Sequence, residues 1–237
     1  MHLPDNNHTV LISPADSKLI KYINGLGIKT IFSDKIEALR KNEQYHADIQ
    51  TLRINNTTFV SGSCNKHHIE KLKIICEKII VCSELSEEYP ENIKLNALFI
   101  SNLLLCKVSA IDKKLREYCI NNNIKLVNVN QGYTKCSALK VNDRALITAD
   151  ITIYNAAIEN NIDALLITPG DILLEDADYG FIGGASGTVG KTIIFFGDIT
   201  AHPDYISINE FLKKHNMRYS FTPDQPLTDI GGLVQLA

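Results

Sequence analysis

Five short segments hold the residues of this chain best suited to chemistry. They are His46-Ala47-Asp48-Ile49, Lys94-Leu95-Asn96-Ala97, Lys135-Cys136-Ser137-Ala138, Tyr179-Gly180-Phe181-Ile182 and Thr228-Asp229-Ile230-Gly231. A cysteine, a histidine and an aspartate are the parts of an activated nucleophile. One reading therefore takes Cys136 as nucleophile, His46 as base and Asp48 as the carboxylate that orients it. Such a site needs Cys136 Sγ and a His46 nitrogen within hydrogen-bond reach. A second reading makes the segments a binding site, with His46, Asp48, Asn96, Lys135, Cys136, Ser137 and Asp229 lining one cavity. Gly183, Gly184, Gly231 and Gly232 would leave room for the ligand. The simplest reading is a structural plug, since polar groups clustered in a core are costly unless they satisfy one another or a ligand.

The elements that must position these residues follow from spacing. The segments recur at intervals of 48, 41, 44 and 49 residues, a period typical of repeat architectures. Each opens a stretch that reads strand, strand, helix, strand. The first full unit runs from Asp48 to Ile54, turns at Asn55-Asn56 and returns through Thr58 to Val60. A helix from about His67 to Glu77 and a strand from Ile79 to Cys82 complete it. The second pairs Ala97–Ile100 with Leu103–Lys107 across Ser101-Asn102, then a helix from Ile111 to Asn121 and a strand from Lys125 to Asn128. The third pairs Ala138–Val141 with Ala145–Thr148, then a helix capped by Asp150 or Thr152 and a strand from Ala164 to Thr168. The fourth runs from Phe181 to Ala185, turns at Ser186-Gly187 and returns through Thr192 to Phe196. Its helix spans Tyr205 to His215 and its last strand Arg218 to Phe221. The tail from Gly231 has a strand without a helix. The N-terminus has Thr9–Ile12, a helix capped by Asp16 or Ser17, and Lys29–Phe32, but no opening strand. Tail and head together make a fifth unit, which closes a ring and removes exposed sheet edges. The expected fold is α/β: a five-bladed α/β propeller of ββαβ units with pseudo-fivefold symmetry and a closing blade shared by the termini. Residues 1–237 are expected to form one domain.

Composition excludes several classes. A formal net charge of -3 leaves no basic footprint for nucleic acid. A hydrophobic fraction of 45% with 22% charged residues suits a globular chain. No apolar run is long enough to span a bilayer. Met1-His2-Leu3-Pro4-Asp5 lacks a basic segment leading into an apolar one, so no leader peptide is expected and the cytoplasm is the expected compartment. The six cysteines form no C-x-x-C pair and fit no common zinc spacing. Neither a metal nor a cofactor is expected. Cys76, Cys82, Cys106 and Cys119 read as small core residues, whereas Cys64 and Cys136 lie among polar neighbours.

Three other motifs have simpler explanations. Ala185 to Thr192 matches a permissive phosphate-loop pattern, but β-branched and aromatic residues follow where the motif needs a helix, so a glycine-rich hairpin turn is expected. His202-Pro203-Asp204 reads as helix-start chemistry with Asp204 as a cap. His67-His68 would point about 100° apart on a helix, and both read as solvated helix-start residues.

Five units with a shared closing blade resemble the pentein fold of guanidino-group-modifying enzymes. Met217 to Ala237 is similar to the end of the dimethylarginine dimethylaminohydrolase branch, where a Gly-Gly-Leu-Thr-Cys strand presents the nucleophilic cysteine. The matching stretch here is Gly231-Gly232-Leu233-Val234-Gln235, with Gln235 in place of the nucleophile. The place of the family's histidine falls near Tyr133, and Asp48 matches its acidic residue. Tyr45–Gln50, Asn130–Ser137 and Asp178–Gly184 also resemble an uncharacterised group of bacterial proteins with this fold. The resemblance implies a pentein-fold protein that binds a small polar or guanidino-like ligand in an axial cavity, Gln235 included, without the guanidine-modifying reaction. A relocated Cys136 site is the enzyme alternative. A scaffold like the pentein-fold ribosome anti-association factors is the third.

Overall fold

The computed structural model of the chain describes residues 8–14 and 17–237. The leader region and the Asp16 cap considered above lie outside the described residues. In chain order the elements are β1 (Thr9–Ile12), α1 (Ser17–Gly25), β2 (Lys29–Phe32), α2 (Ala47–Gln50), β3 (Thr51–Ile54), β4 (Thr57–Val60), α3 (Lys66–Ile75) and β5 (Lys78–Val81). There follow β6 (Leu98–Ile100), β7 (Leu103–Cys106), α4 (Lys113–Asn121), β8 (Lys125–Asn128), α5 (Thr134–Ser137), β9 (Ala138–Asn142), β10 (Ala145–Thr148), α6 (Ile151–Glu159) and β11 (Asp163–Leu166). The chain ends with β12 (Ser186–Val189), β13 (Thr192–Phe195), α7 (Tyr205–Lys214), β14 (Arg218–Phe221) and β15 (Leu233–Gln235).

The strands form five three-stranded sheets: β3-β4-β5, β6-β7-β8, β9-β10-β11, β12-β13-β14 and β15-β1-β2. In each, the first strand pairs antiparallel with the middle one, and the third joins it in parallel. The C-terminal strand therefore completes the sheet of the N-terminal pair.

The middle strands explain the apolar runs. β1, β4, β10 and β13 are buried along their whole length, which demands apolar residues on both faces. Successive side chains point oppositely, so each strand feeds two cores. On β13, Ile193 and Phe195 join one cluster with Leu139 and Ile147, whereas Ile194 joins another with Val10 and Ile12. The five apolar clusters each unite two consecutive sheets, and one unites the β15-β1-β2 sheet with the β3-β4-β5 sheet. Burying each large apolar side chain contributes about 1.5–3 kcal/mol.

Local chemistry sets the ends. Ser101 and Asn102 have φ of 49° and 63°, which fits the two-residue hairpin between β6 and β7. Asn65, Asp112 and Asp150 cap α3, α4 and α6 by accepting from backbone N–H groups. Asp204 makes no side-chain cap at α7; its carboxylate accepts from Thr168 N at 2.6 Å instead. The glycine-rich segment is a hairpin turn: Gly190 has φ of 56° between β12 and β13, with no helix after it. In the fourth unit the first strand starts at Ser186, five residues later than read from sequence, and turns at Gly190 rather than Ser186-Gly187. His67 is exposed as expected, but His68 is buried. No helix among the described residues is long and apolar enough to cross a membrane.

Candidate functional site

The segments that open the units are not strands. Asp48 lies on the single helical turn α2, and Cys136 on α5. Gln50 N bonds to His46 O, Ser137 N to Tyr133 O and Ala185 N to Phe181 O, so one helical turn precedes the first strand in three units. A one-turn helix aims its side chains differently from a strand, and period-two patterning could not reveal that.

These turns bring His46, Asp48 and Cys136 together. Their ligand-type atoms all lie within 4.8 Å of one another. Asn96 joins them from the loop before β6. Its Oδ1 accepts from Lys135 N at 2.8 Å and Cys136 N at 3.3 Å, and its Nδ2 donates to Cys136 Sγ at 3.1 Å. Asp229 is adjacent and accepts from Phe181 N and Gly231 N, both at 2.9 Å. The group is sealed: Asp48 is 0% exposed, Cys136 2% and Asp229 4%. His46 Nδ1 has no hydrogen-bond partner, and the Asp48 carboxylate has none beyond the neighbouring Cys136 thiol.

Electrostatics follow from that enclosure. Burial pushes the Cys136 thiol well above its usual range, and the carboxylates of Asp48 and Asp229 push it further, against a small opposing effect of Asn96. Burial also raises Asp229, which His46 and two backbone N–H groups partly offset. A protonated, enclosed thiol is the reverse of an activated nucleophile, which needs a favoured thiolate and access.

The cavity expected among the openings is filled by the protein itself. A methyl group at Gly184 would sit 2.0 Å from Asp229 Oδ1, at Gly231 2.4 Å from His46 Cγ, and at Gly183 2.3 Å from Lys135 O. The glycines admit neighbouring protein atoms, not a ligand. Ser137 is buried, with an unpartnered hydroxyl, and borders a separate pocket of about 70 Å³.

Lys135 and Gln235 face elsewhere. They line a cleft of about 480 Å³ whose wall includes residues of the first strand of every sheet. Arg53, Phe99, Lys140, Thr188 and Gln235 each oppose the second residue of their middle strand, counting Thr58, Leu104, Leu146, Ile193 and Val10. All five line the cleft. Lys140 pairs with Asp143 at 2.7 Å and lies over the Phe99 ring at 5.7 Å from its centroid. Gln235 Oε1 accepts from Gly190 N at 3.3 Å, and its Nε2 lies 3.1 Å from His8 Nδ1. Arg53, Lys140 and Asp143 escaped the sequence reading. Arg53 and Lys140 had a signal, a charged residue between apolar neighbours on a first strand, as in Leu52-Arg53-Ile54 and Leu139-Lys140-Val141, whereas Asp143 lies in the turn after β9.

Tyr133 is no substitute base. Its hydroxyl donates to Glu43 Oε1 at 2.8 Å and accepts from Asn92 Nδ2 at 2.5 Å. Burial and then Glu43 hold its phenol above the usual range. His202 is buried, with Nδ1 accepting from Asp204 N. All six cysteines are buried free thiols; Cys64 faces Gln50 Oε1 at 3.8 Å and is pushed up to about 12 by burial.

Solved structures share this architecture at low sequence identity. Dimethylarginine dimethylaminohydrolase of Pseudomonas aeruginosa, in a cysteine-to-serine variant complexed with citrulline, superposes with a TM-score of 0.55 at 11% identity, covering 91% of each chain. Agmatine deiminase of C. jejuni gives 0.56 at 8% identity, over 99% of this chain and 94% of that one. An amidinotransferase from Microseira wollei in the saxitoxin biosynthetic pathway gives 0.56 at 7% identity, over 100% and 96%. The chain therefore has an α/β fold of small sheets shared with these penteins. No curated protein matches it by sequence. Residues 11–234 match DUF6873, a family of unknown function, and the chain is a member of that family with a pentein-like fold.

Proposed function

We propose that this protein binds a small polar ligand bearing an anionic group in the cleft and does not carry out the guanidine-modifying reactions of its structural neighbours. On this proposal the five sheets are blades of a closed propeller, and the cleft is one mouth of its axis. The observation that carries the reading is the cleft wall. It gathers one register-equivalent residue from each sheet, and it carries Arg53, Lys135 and Lys140 against the single carboxylate of Asp143. A volume of about 480 Å³ lies within the ~300–1,000 Å³ range of small-molecule sites. Excess positive charge attracts a carboxylate and repels a guanidinium that lacks one. The apolar floor from Leu98, Leu139, Val141 and Leu233 suits a short hydrocarbon stem.

The negative half of the proposal rests on chemistry. Gln235 carries an amide, which has no thiolate to form a covalent adduct. Cys136 is 2% exposed and so closed to a substrate.

Thermal-shift screening tests both halves. Dicarboxylates and amino acids are expected to raise Tm, and agmatine, a guanidinium without a carboxylate, is expected not to. The Arg53→Glu/Lys135→Glu variant should lose the shift. Turnover of arginine, methylarginine or agmatine, or a preference for agmatine over carboxylates, would overturn the proposal.

A further inference from the structure

We infer that His46, Asp48 and Cys136 form a buried site for one thiophilic divalent cation, zinc by its chemistry, at the junction of α2 and α5. The donor set is mixed nitrogen, oxygen and sulfur, a combination zinc accepts and calcium or magnesium does not. The ligand-type atoms lie within 4.8 Å of one another. Zinc bonds of ~2.0–2.3 Å set tetrahedral edges of about 3.3–3.8 Å, so the donors need to close by roughly 1 Å through side-chain rotation.

Three further observations point to a cation rather than a hydrogen-bonded plug. First, His46 Nδ1 is buried with no hydrogen-bond partner, and the buried Asp48 carboxylate has none beyond the Cys136 thiol. A plug would satisfy these atoms internally, since leaving them bare carries the full desolvation penalty. Second, no lysine or arginine forms an ion pair with Asp48 or Asp229 among the described residues. A neutral imidazole, a carboxylate and a thiolate sum to two negative charges, which a divalent ion cancels, so the ion and its three ligands are together neutral beside the Asp229 carboxyl group, which Phe181 N and Gly231 N hold. Third, the surroundings suit a metal thiolate. Lys135 N and Cys136 N fix Asn96 Oδ1, so Nδ2 must face Cys136 Sγ, at 3.1 Å. Donation to the ligating atom and rigid placement of the ligands are what a supporting shell supplies. Gly231 packs against His46 so closely that a methyl there would lie 2.4 Å from its Cγ.

Binding is balanced in protons. The cation displaces the Cys136 thiol proton to solvent and forms the metal–sulfur bond; His46 coordinates through the lone pair of its neutral imidazole. The cysteine spacing conceals the site because the donors come from residues 46–48 and from residue 136. This site is separate from the cleft, so either proposal can fail alone.

The test uses the full chain, purified without metal-affinity resin. Elemental analysis should find about one zinc per chain. After chelation, titration with Zn²⁺ should restore a higher Tm, and Co²⁺ should produce a sulfur-to-metal charge-transfer band in the near ultraviolet. Cys136→Ser should abolish that band and weaken Zn²⁺ binding at least ~100-fold. X-ray absorption on the zinc-loaded wild-type chain provides a readout independent of variant folding, with one sulfur neighbour at ~2.3 Å and a nitrogen/oxygen shell at ~2.0 Å. Absence of stoichiometric binding by the wild type, a zinc shell with no sulfur or several, or undiminished binding in folded Cys136→Ser overturns the assignment.

Discussion

The tightest test of the polar cluster is a single methyl group. In Gly184→Ala the new Cβ would lie 2.0 Å from Asp229 Oδ1, 2.3 Å from Cγ and 2.5 Å from Oδ2. Carbon contacts are comfortable from ~3.5 Å, so the carboxyl group must retreat by about 1.5 Å. It cannot do so and still accept from Phe181 N and Gly231 N at 2.9 Å each. Forfeiting two buried hydrogen bonds costs about 1–3 kcal/mol apiece, or about 2–6 kcal/mol together. That is a large share of a typical ~5–15 kcal/mol total. Urea unfolding followed by circular dichroism should show the midpoint fall with an unchanged slope. Gly25→Ala is the control, since nothing lies within 4 Å of its added methyl, and it should stay within about 0.5 kcal/mol of wild type. Removing the obstacle with Asp229→Ala should make the second substitution nearly free of further cost, so the double-mutant cycle should show a coupling close to the whole cost of Gly184→Ala, about 2–6 kcal/mol. A loss below about 1 kcal/mol for Gly184→Ala, or simple additivity with Asp229→Ala, would refute the packing argument.

Two other outcomes follow from particular contacts. Tyr133→Phe strips Glu43 and Asn92 of their shared hydroxyl, and chemical denaturation should register a loss of about 1–3 kcal/mol; an unchanged midpoint would show that the network contributes nothing. His68 and His202 are held below the ordinary imidazole value of 6.5, chiefly by burial. The unfolded chain then binds more protons than the native one between the lowered values and 6.5. Stability should therefore rise with pH through that window and level off above it. The variant His68→Leu/His202→Asn should flatten the slope, and an unaltered slope in pH-dependent unfolding would contradict the assignment.

Much of the fold was legible because its rules are local. Apolar runs bounded by Asn, Gly and Asp mark strand pairs, and polar turns and caps mark where helices begin. β1, β2 and β8 have the bounds read from sequence. The fourth unit misled because Gly183-Gly184 resembles a strand-to-turn passage, whereas the segment forms a helical turn that lets Asp229 pack against Gly184. The repeat also located the polar openings, but not their shape.

What the sequence determined by itself is the five-unit pattern, the pairing of tail with head, and the absence of a cysteine at position 235. Each rests on period, composition or identity, which survive projection onto one dimension. Only the tertiary structure decided that His46 and Asp48 meet Cys136, that glycines admit Asp229 and His46 rather than a ligand, and that open space lies instead among Arg53, Lys140 and Gln235. Those outcomes depend on distances between residues about 45 to 185 apart in the chain. They are set by how the sheets pack against one another, and no local pattern encodes them.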